Sequence, residues 1–310
     1  MPYSQAKIYF DGSHYIAIPQ TFNPYRRKKN IKIKKELTEI LTDKTENKKS
    51  ATEALTPKER FERLYKENNG KKKTEKIKNI TKKMEKEFKD KDKAKEFVLR
   101  NMERITRNKI VRKTRLVRKL YLNEWNWFCT FTYSNEKHTE DSFSKSLSNL
   151  LKKMVHRKAW RYIGVWERSP EKKRLHFHGI FYIPENTMPG ILESKSDYSF
   201  NTHTRQSINQ NSYFYEKFGR NDFNPINVIH ELRDCANYLM KYIEKSGEKL
   251  IYSRNIPTFF KSDIMDEDVL CTIGQEDRKL LLADNFTCWE DGCLIGQVSP
   301  EVIRQMPKCN

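Results

Sequence analysis

Three groups of residues in this chain have the types and spacing to act together on a phosphate. His176-Phe-His178 falls inside a run over 174–183 with the composition of a β-strand. In a strand both imidazoles project from one face and Phe177 from the other, so two nitrogen ligands stand side by side. A second strand over 160–167, joined to the first by the polar loop Ser169-Pro-Glu-Lys-Lys-Arg174, ends in Glu167. A hairpin register that sets Glu167 opposite His176 adds a carboxylate to the same face. Two histidines and one carboxylate with open positions suit a divalent ion, Mn²⁺ or Mg²⁺, the imidazoles favouring Mn²⁺. Such an ion binds a phosphate oxygen and offsets the negative charge that develops on it. The plainer reading makes all three ordinary polar strand positions, with Glu167 paired to Arg168 or Arg174.

The third group is Tyr238-Leu-Met-Lys241-Tyr242-Ile-Glu-Lys245, on a helix expected over 232–246. Residues four apart share a helix face, so Tyr238 aligns with Tyr242 and Lys241 with Lys245. A phenol of reference pKa about 10 is a weak nucleophile while protonated. A neighbouring ammonium or a metal-bound phosphate would be needed to favour the phenolate. The competing reading is a core stripe of Tyr238, Leu239, Tyr242 and Ile243.

The elements that must position these groups can be read along the chain. Residues 127–133, Trp-Phe-Cys-Thr-Phe-Thr-Tyr, read as a strand. Residues 139–157 read as an amphipathic helix with Thr139 as cap and Phe143, Leu147, Leu150, Leu151 and Met154 facing inward. After the histidine strand, residues 184–225 read as an insertion with little regular structure, followed by a strand near 226–231. The tyrosine helix then closes at Gly247, and a last strand is expected at 249–253. Strands and helices in this order suit an antiparallel sheet with flanking helices, an α+β domain, rather than a parallel doubly wound sheet.

Upstream, residues 7–18 place strand formers on both sides of Asp11-Gly12, a hairpin signal. Thr56, Pro57 and Glu59 announce a capped helix that Asn69-Gly70 ends. From 73 to 118, Ile77, Ile80, Met84, Phe88, Phe97, Val98, Met102 and Ile105 recur at helical spacing among many lysines. The net charge is +20, and residues 26–119 hold 35 Lys and Arg against 15 Asp and Glu, so the whole excess lies there. Clustered cations gain free energy by releasing counterions from a polyanion, so this stretch is either a basic DNA-contacting face or a solvated charge run.

Four regions follow: a hairpin over 1–25, a basic helical region over 26–120, a chemical domain over 121–260 and a tail over 261–310 of unassigned role. The six cysteines lack disulfide or Cys-x-x-Cys spacing and read as reduced thiols. With no apolar run of membrane-spanning length and no signal sequence, the expectation is a soluble, cytoplasmic protein without a membrane partner. No Gly-x-x-x-x-Gly-Lys-Ser/Thr loop occurs, so ATP-driven unwinding is left to another protein.

In order, the strand Phe128-Cys-Thr-Phe-Thr-Tyr133, His176-Phe-His178 and the Tyr-x-x-Lys helix resemble the three motifs of rolling-circle replication initiators in the HUH endonuclease superfamily. Relaxases of that superfamily carry their tyrosine ahead of the histidine pair, whereas here it follows. The doubled Tyr-x-x-x-Lys-Tyr-x-x-Lys is similar to the two-tyrosine form of small bacteriophages and some plasmids. Asp11-Gly12-Ser13, Phe218-Gly-Arg-Asn-Asp-Phe223 and Tyr252-Ser-Arg-Asn255 extend the likeness toward initiators of Gram-positive phages and mobile elements.

The resemblance implies a ferredoxin- or RRM-like sheet and a metal held by His176, His178 and Glu167. It further implies attack by one tyrosine and then the other on single-stranded origin DNA through a 5′-phosphotyrosine bond; Tyr242 is preferred over Tyr238 as the first because it alone has lysines on both sides, Lys241 and Lys245. A separate helicase and a DNA polymerase would be the partners. The rivals are a transposase of the same superfamily and a non-catalytic basic nucleic-acid-binding protein.

Overall fold

The computed structural model describes residues 3–20, 55–88, 90–169, 174–199, 203–245, 250–273 and 279–309, without the side chains of 199 and 243–245. The chain divides into one unit of residues 1–20 and 112–310 and another of residues 21–111. The first unit opens with the expected hairpin, β1 (Tyr3–Phe10) and β2 (Tyr15–Ile18), paired antiparallel. Asp11 Oδ1 accepts from the amides of Ser13 and His14 at 3.0 and 2.9 Å, and Gly12 takes φ +92°, where a side chain would be strained.

In the second unit, α1 (Pro57–Glu67) begins with the expected capping box: Thr56 Oγ1 accepts from the Glu59 amide, and Glu59 returns a carboxylate to the Thr56 amide. Helix α2 (Lys73–Met84), a 3₁₀ turn at Glu85–Glu87 and the first part of α3 (Lys91–Tyr121) follow. Phe61, Leu64, Ile80, Met84, Val98 and Met102 form this unit's core, all positions on apolar stripes. Arg60, Arg63, Lys83 and Lys86 line an open cleft of about 460 Å³ on it.

The chemistry-bearing sheet belongs to the first unit. Its elements are β3 (Trp127–Thr132), α4 (Glu140–Lys158), β4 (Arg161–Arg168), β5 (Leu175–Tyr182), β6 (Leu192–Ser199), β7 (Thr204–Asn211), α5 (Ser212–Lys217), β8 (Asn221–Pro225), α6 (Ile229–Lys245) and β9 (Ile251–Tyr252). Five of the strands form a sheet of order β8-β3-β5-β4-β9 in which every neighbour is antiparallel, the α+β arrangement expected. Alternation sorts its side chains onto two faces. Cys129, Phe131, Tyr162, Phe177 and Phe181 pack with Phe143, Leu147, Leu150 and Leu151 of α4. Ile163, Val165 and Ile180 pack with Leu232, Ala236 and Leu239 of α6 and with Leu116 and Leu120 at the end of α3.

The stretch 184–225 departs from expectation. It contains the β6–β7 hairpin, the short α5 and edge strand β8. The hairpin escapes an apolar-periodicity search because, of its residues with described side chains, Ile208 is the one buried hydrophobic. Amide contacts fasten it instead: Asn209 N donates to Asp222 Oδ1 at 3.0 Å, and Asn211 N to Asn221 Oδ1 at 2.7 Å. The strand expected near 226–231 is also corrected. The strand ends at Pro225 and α6 starts at Ile229, because Glu231 accepts from the amides of Asn227 and Val228 at 2.7 and 3.3 Å and closes a helix start over β-branched residues.

The residues after 258 are built into a second sheet. Strands β10 (Phe259–Ile264), β11 (Val269–Thr272), β12 (Leu280–Leu282), β13 (Thr287–Glu290), β14 (Cys293–Gln297) and β15 (Lys308–Cys309), with helix α7 (Pro300–Gln305), accompany the N-terminal hairpin. The order is β11-β12-β2-β1-β10-β13-β14, with β15 also on β10. Regions that the sequence separates as 1–25 and 261–310 thus share a sheet and a core of Ile8, Phe260, Ile264, Leu280, Leu282, Phe286 and Met306. No described helix is long and apolar enough to cross a membrane.

Candidate active site

Each His of the pair sits opposite a threonine. In the β3–β5 register Thr130 faces His178 and Thr132 faces His176, on the sheet face that carries α6. Thr130 Oγ1 lies 3.0 Å from His178 Nδ1, and Thr132 Oγ1 lies 2.7 Å from His176 Nδ1. A hydroxyl held at Nδ1 fixes the ring's orientation, and when Nδ1–H donates to it the Nε2 lone pair is released for a ligand. Neither threonine was singled out by sequence, where Thr130-x-Thr132 reads as strand propensity. The cue was their spacing of two, which matches that of the histidines.

Glu167 occupies the expected place opposite His176. Its Oε2 lies 2.9 Å from His178 Nε2 and accepts from the Tyr238 hydroxyl at 3.1 Å. The same hydroxyl is 3.5 Å from His178 Nε2. Tyr242 hydrogen-bonds both Glu167 and Tyr238. Its ring lies parallel to His178 with centroids 6.3 Å apart, and the two tyrosine rings are 5.0 Å apart. Phe128, two residues before Thr130 on the same strand, supports Tyr238 edge-on at 5.6 Å. His176, His178, Glu167, Tyr238 and Tyr242 therefore converge. Lys241 is exposed to solvent, and the Lys245 side chain lies outside the described residues.

Burial and charge set the protonation states. Burial, with the neighbouring His178, Arg174 and Arg220 acting against Glu167, lowers His176 to about 4, so it is neutral at physiological pH. Glu167 is raised by burial but lowered more by hydrogen bonds from His178, Tyr242 and Tyr238, and it ends below its ordinary value. Burial, the hydrogen bond with Tyr242 and the Glu167 charge push Tyr238 well above the usual phenol range. Tyr242 is pushed up to about 12, by burial first and then by Glu167, with partial relief from its bond to Tyr238.

Among the described residues no three His, Cys, Asp or Glu side chains already surround a common point for a metal ion. The donor chemistry of this set still fits one. His178 Nε2 and Glu167 Oε2 lie 2.9 Å apart, and a divalent cation can take a lone pair from each. His176, neutral and fixed through Nδ1, could supply a third donor.

Residues 126–247 match the family model of replication-associated protein ORF2/G2P. That segment is similar to replication-associated proteins. It runs from the start of β3 past the end of α6 and so contains every site residue named above. No curated protein and no solved structure matches the chain. The ORF2/G2P match supports a replication-associated role, and with it contact with DNA. The basic stretch fits that role only in part, since Lys76 lies over the Tyr65 ring and Lys119 Nζ donates to the Ile256 carbonyl at 2.9 Å. Both are buried and support packing.

Proposed function

We propose that the ORF2/G2P-like segment is a metal-assisted DNA nickase and strand transferase that initiates rolling-circle replication. The observation that carries this reading is the meeting of two phenols from α6 with one carboxylate and one imidazole from the sheet, the Tyr238 hydroxyl lying 3.1 Å from Glu167 and 3.5 Å from His178.

Tyr242 is the first nucleophile, because Lys241 adjoins it and Lys245 lies three residues on, and an adjacent ammonium favours the phenolate. Its oxygen bonds the scissile phosphorus as the P–O3′ bond breaks. The products are a 5′-phosphotyrosine and a strand whose 3′-oxygen takes up a proton. Glu167, already hydrogen-bonded to both phenols, is placed to accept the phenolic proton. A divalent ion bound by His176, His178 and Glu167 would supply Lewis-acid stabilisation of the phosphate oxygens. Tyr238 then serves the second transfer, attacking the regenerated junction while the first link is resealed. A helicase and a polymerase complete the replication cycle.

Incubation of the full chain with single-stranded origin DNA and Mn²⁺ tests this directly. A DNA-linked peptide identified by mass spectrometry carries Tyr242 in the first turnover. Tyr242→Phe lowers that cleavage by roughly 10²-fold or more, and Tyr238→Phe spares the first nick but blocks rejoining. A double Tyr→Phe variant that cleaves like the wild type overturns the proposal.

A further inference from the structure

One cross-strand row of the sheet continues beyond the histidines to a cation that the reaction above does not use. Glu167 faces His176, and His176 faces Thr132. The Thr132 amide then donates to the Arg220 carbonyl at 2.8 Å, one residue before β8. Next along β8, Asn221 faces Phe131 and is buried on the α4 side, so alternation gives Arg220 to the face that carries the histidines. Arg174 stands two residues before His176 at the head of β5. The phenols gather over Phe128 and His178, so the arginines extend the site along the His176 side.

Both arginines are held. Arg220 Nε donates to Asp197 Oδ2 at 2.6 Å, and its Nη2 pairs with the same carboxylate. No partner takes Nη1 among the described residues, and the Arg220 side chain is 42% exposed. Arg174 lies over the Tyr133 ring at 4.9 Å and donates through Nη2 to Asn135 at 3.0 Å. Asp197 belongs to β6, which gives the β6–β7 hairpin a task. Anchored to β8 by Asn209 and Asn211, it brings a carboxylate to one edge of the guanidinium and leaves the other edge for an anion.

We propose that Arg220 and Arg174 form a binding site for the phosphodiester backbone of single-stranded DNA beside the phosphate attacked by the tyrosines, with Asp197 holding Arg220 in position. The strand runs from the phenols over the histidines to the arginines, which fix the register of the scissile phosphate. This assignment rests on the nickase reading for its purpose, but the binding itself does not.

The test measures the affinity of the full chain for a fluorescent single-stranded oligonucleotide across a salt series. Arg220→Gln weakens binding roughly threefold to tenfold at moderate salt and lowers the slope of log affinity against log salt by about 0.7, as expected for one lost single-strand phosphate contact. Arg174→Gln behaves alike. Lys152→Gln, on the helix covering the opposite face, leaves affinity and slope unchanged, whereas Asp197→Asn, which keeps both guanidiniums but releases Arg220, weakens binding without lowering the slope.

Oligonucleotides carrying one neutral methylphosphonate locate the contact. The position that weakens wild-type binding causes no further loss in Arg220→Gln. Arg220→Gln and Arg174→Gln variants that melt earlier but bind with wild-type slope overturn the proposal and leave the ion pair as a hairpin fastener. A wild-type chain that binds but never cleaves with Mn²⁺ refutes the nickase reading, while the slopes still decide the arginine site.

Discussion

At the scale of residues, the partner at Nδ1 decides what each imidazole can do. Thr130 and Thr132 hold both rings from one side, and Arg174 and Arg220 help keep His176 uncharged. His176 lowered to about 4 from an ordinary 6.5 means that the unfolded chain binds a proton in that window and the folded chain does not. Stability is therefore full above the unfolded value and lost as pH falls from 6.5 toward about 4. Chemical denaturation followed across that range should show a falling midpoint that flattens in His176→Gln. An unchanged acid limb in the variant would place the loss elsewhere. The histidines, Glu167 and both tyrosines were legible because two periods, two for a strand and near four for a helix, each align a pair of chemical groups. The threonines were hidden by the ambiguity of their type, which is at home in any strand.

At the scale of elements, the phenylalanine between the histidines needs room that two glycines provide. Gly164 and Gly179 face each other on β4 and β5. A Cβ at Gly164 would strike the Phe177 ring and lie 2.7 Å from the His178 carbonyl, while one at Gly179 would stand 2.8 Å from the Phe181 ring. Gly164→Ala should cost about 1–3 kcal/mol by overpacking and, by shifting β5, lower cleavage as well. Thr139→Ala at the α4 cap should cost about 1 kcal/mol with cleavage intact. Thermal melts read beside the nicking rate separate the two, and equal activity in both variants would show that Phe177 does not set the histidine positions. Elements with an apolar face, such as α4 and β3 to β5, were legible for the same reason that they are stable. The β6–β7 hairpin was not, because amides and an ion pair fasten it and these leave no periodic trace.

At the scale of the whole molecule, the charge that locates the polyanion partner is unevenly available. Lys78, Lys82 and Lys86 are exposed, unlike Lys76 and Lys119. Replacing those three with Gln should lower the salt slope of DNA binding by up to about 2, since each lost single-strand phosphate contact removes about 0.7. A slope equal to wild type would mark this face as a solubilising surface. The basic stretch also ends later in sequence than in structure. Leu116 and Leu120 are core residues of the unit that holds the candidate site, so a deletion meant to remove only the charged region must stop before residue 112.

The pairing of β1 with β10 ties folding to synthesis. Tyr3 meets Ile264 across the ladder, so β1 can pair with β2 at once, but its other edge waits until a ribosome has delivered β10. A premature stop codon just past the tyrosine helix would leave every residue of the candidate site encoded yet strand β1 with a bare edge, a template for aggregation.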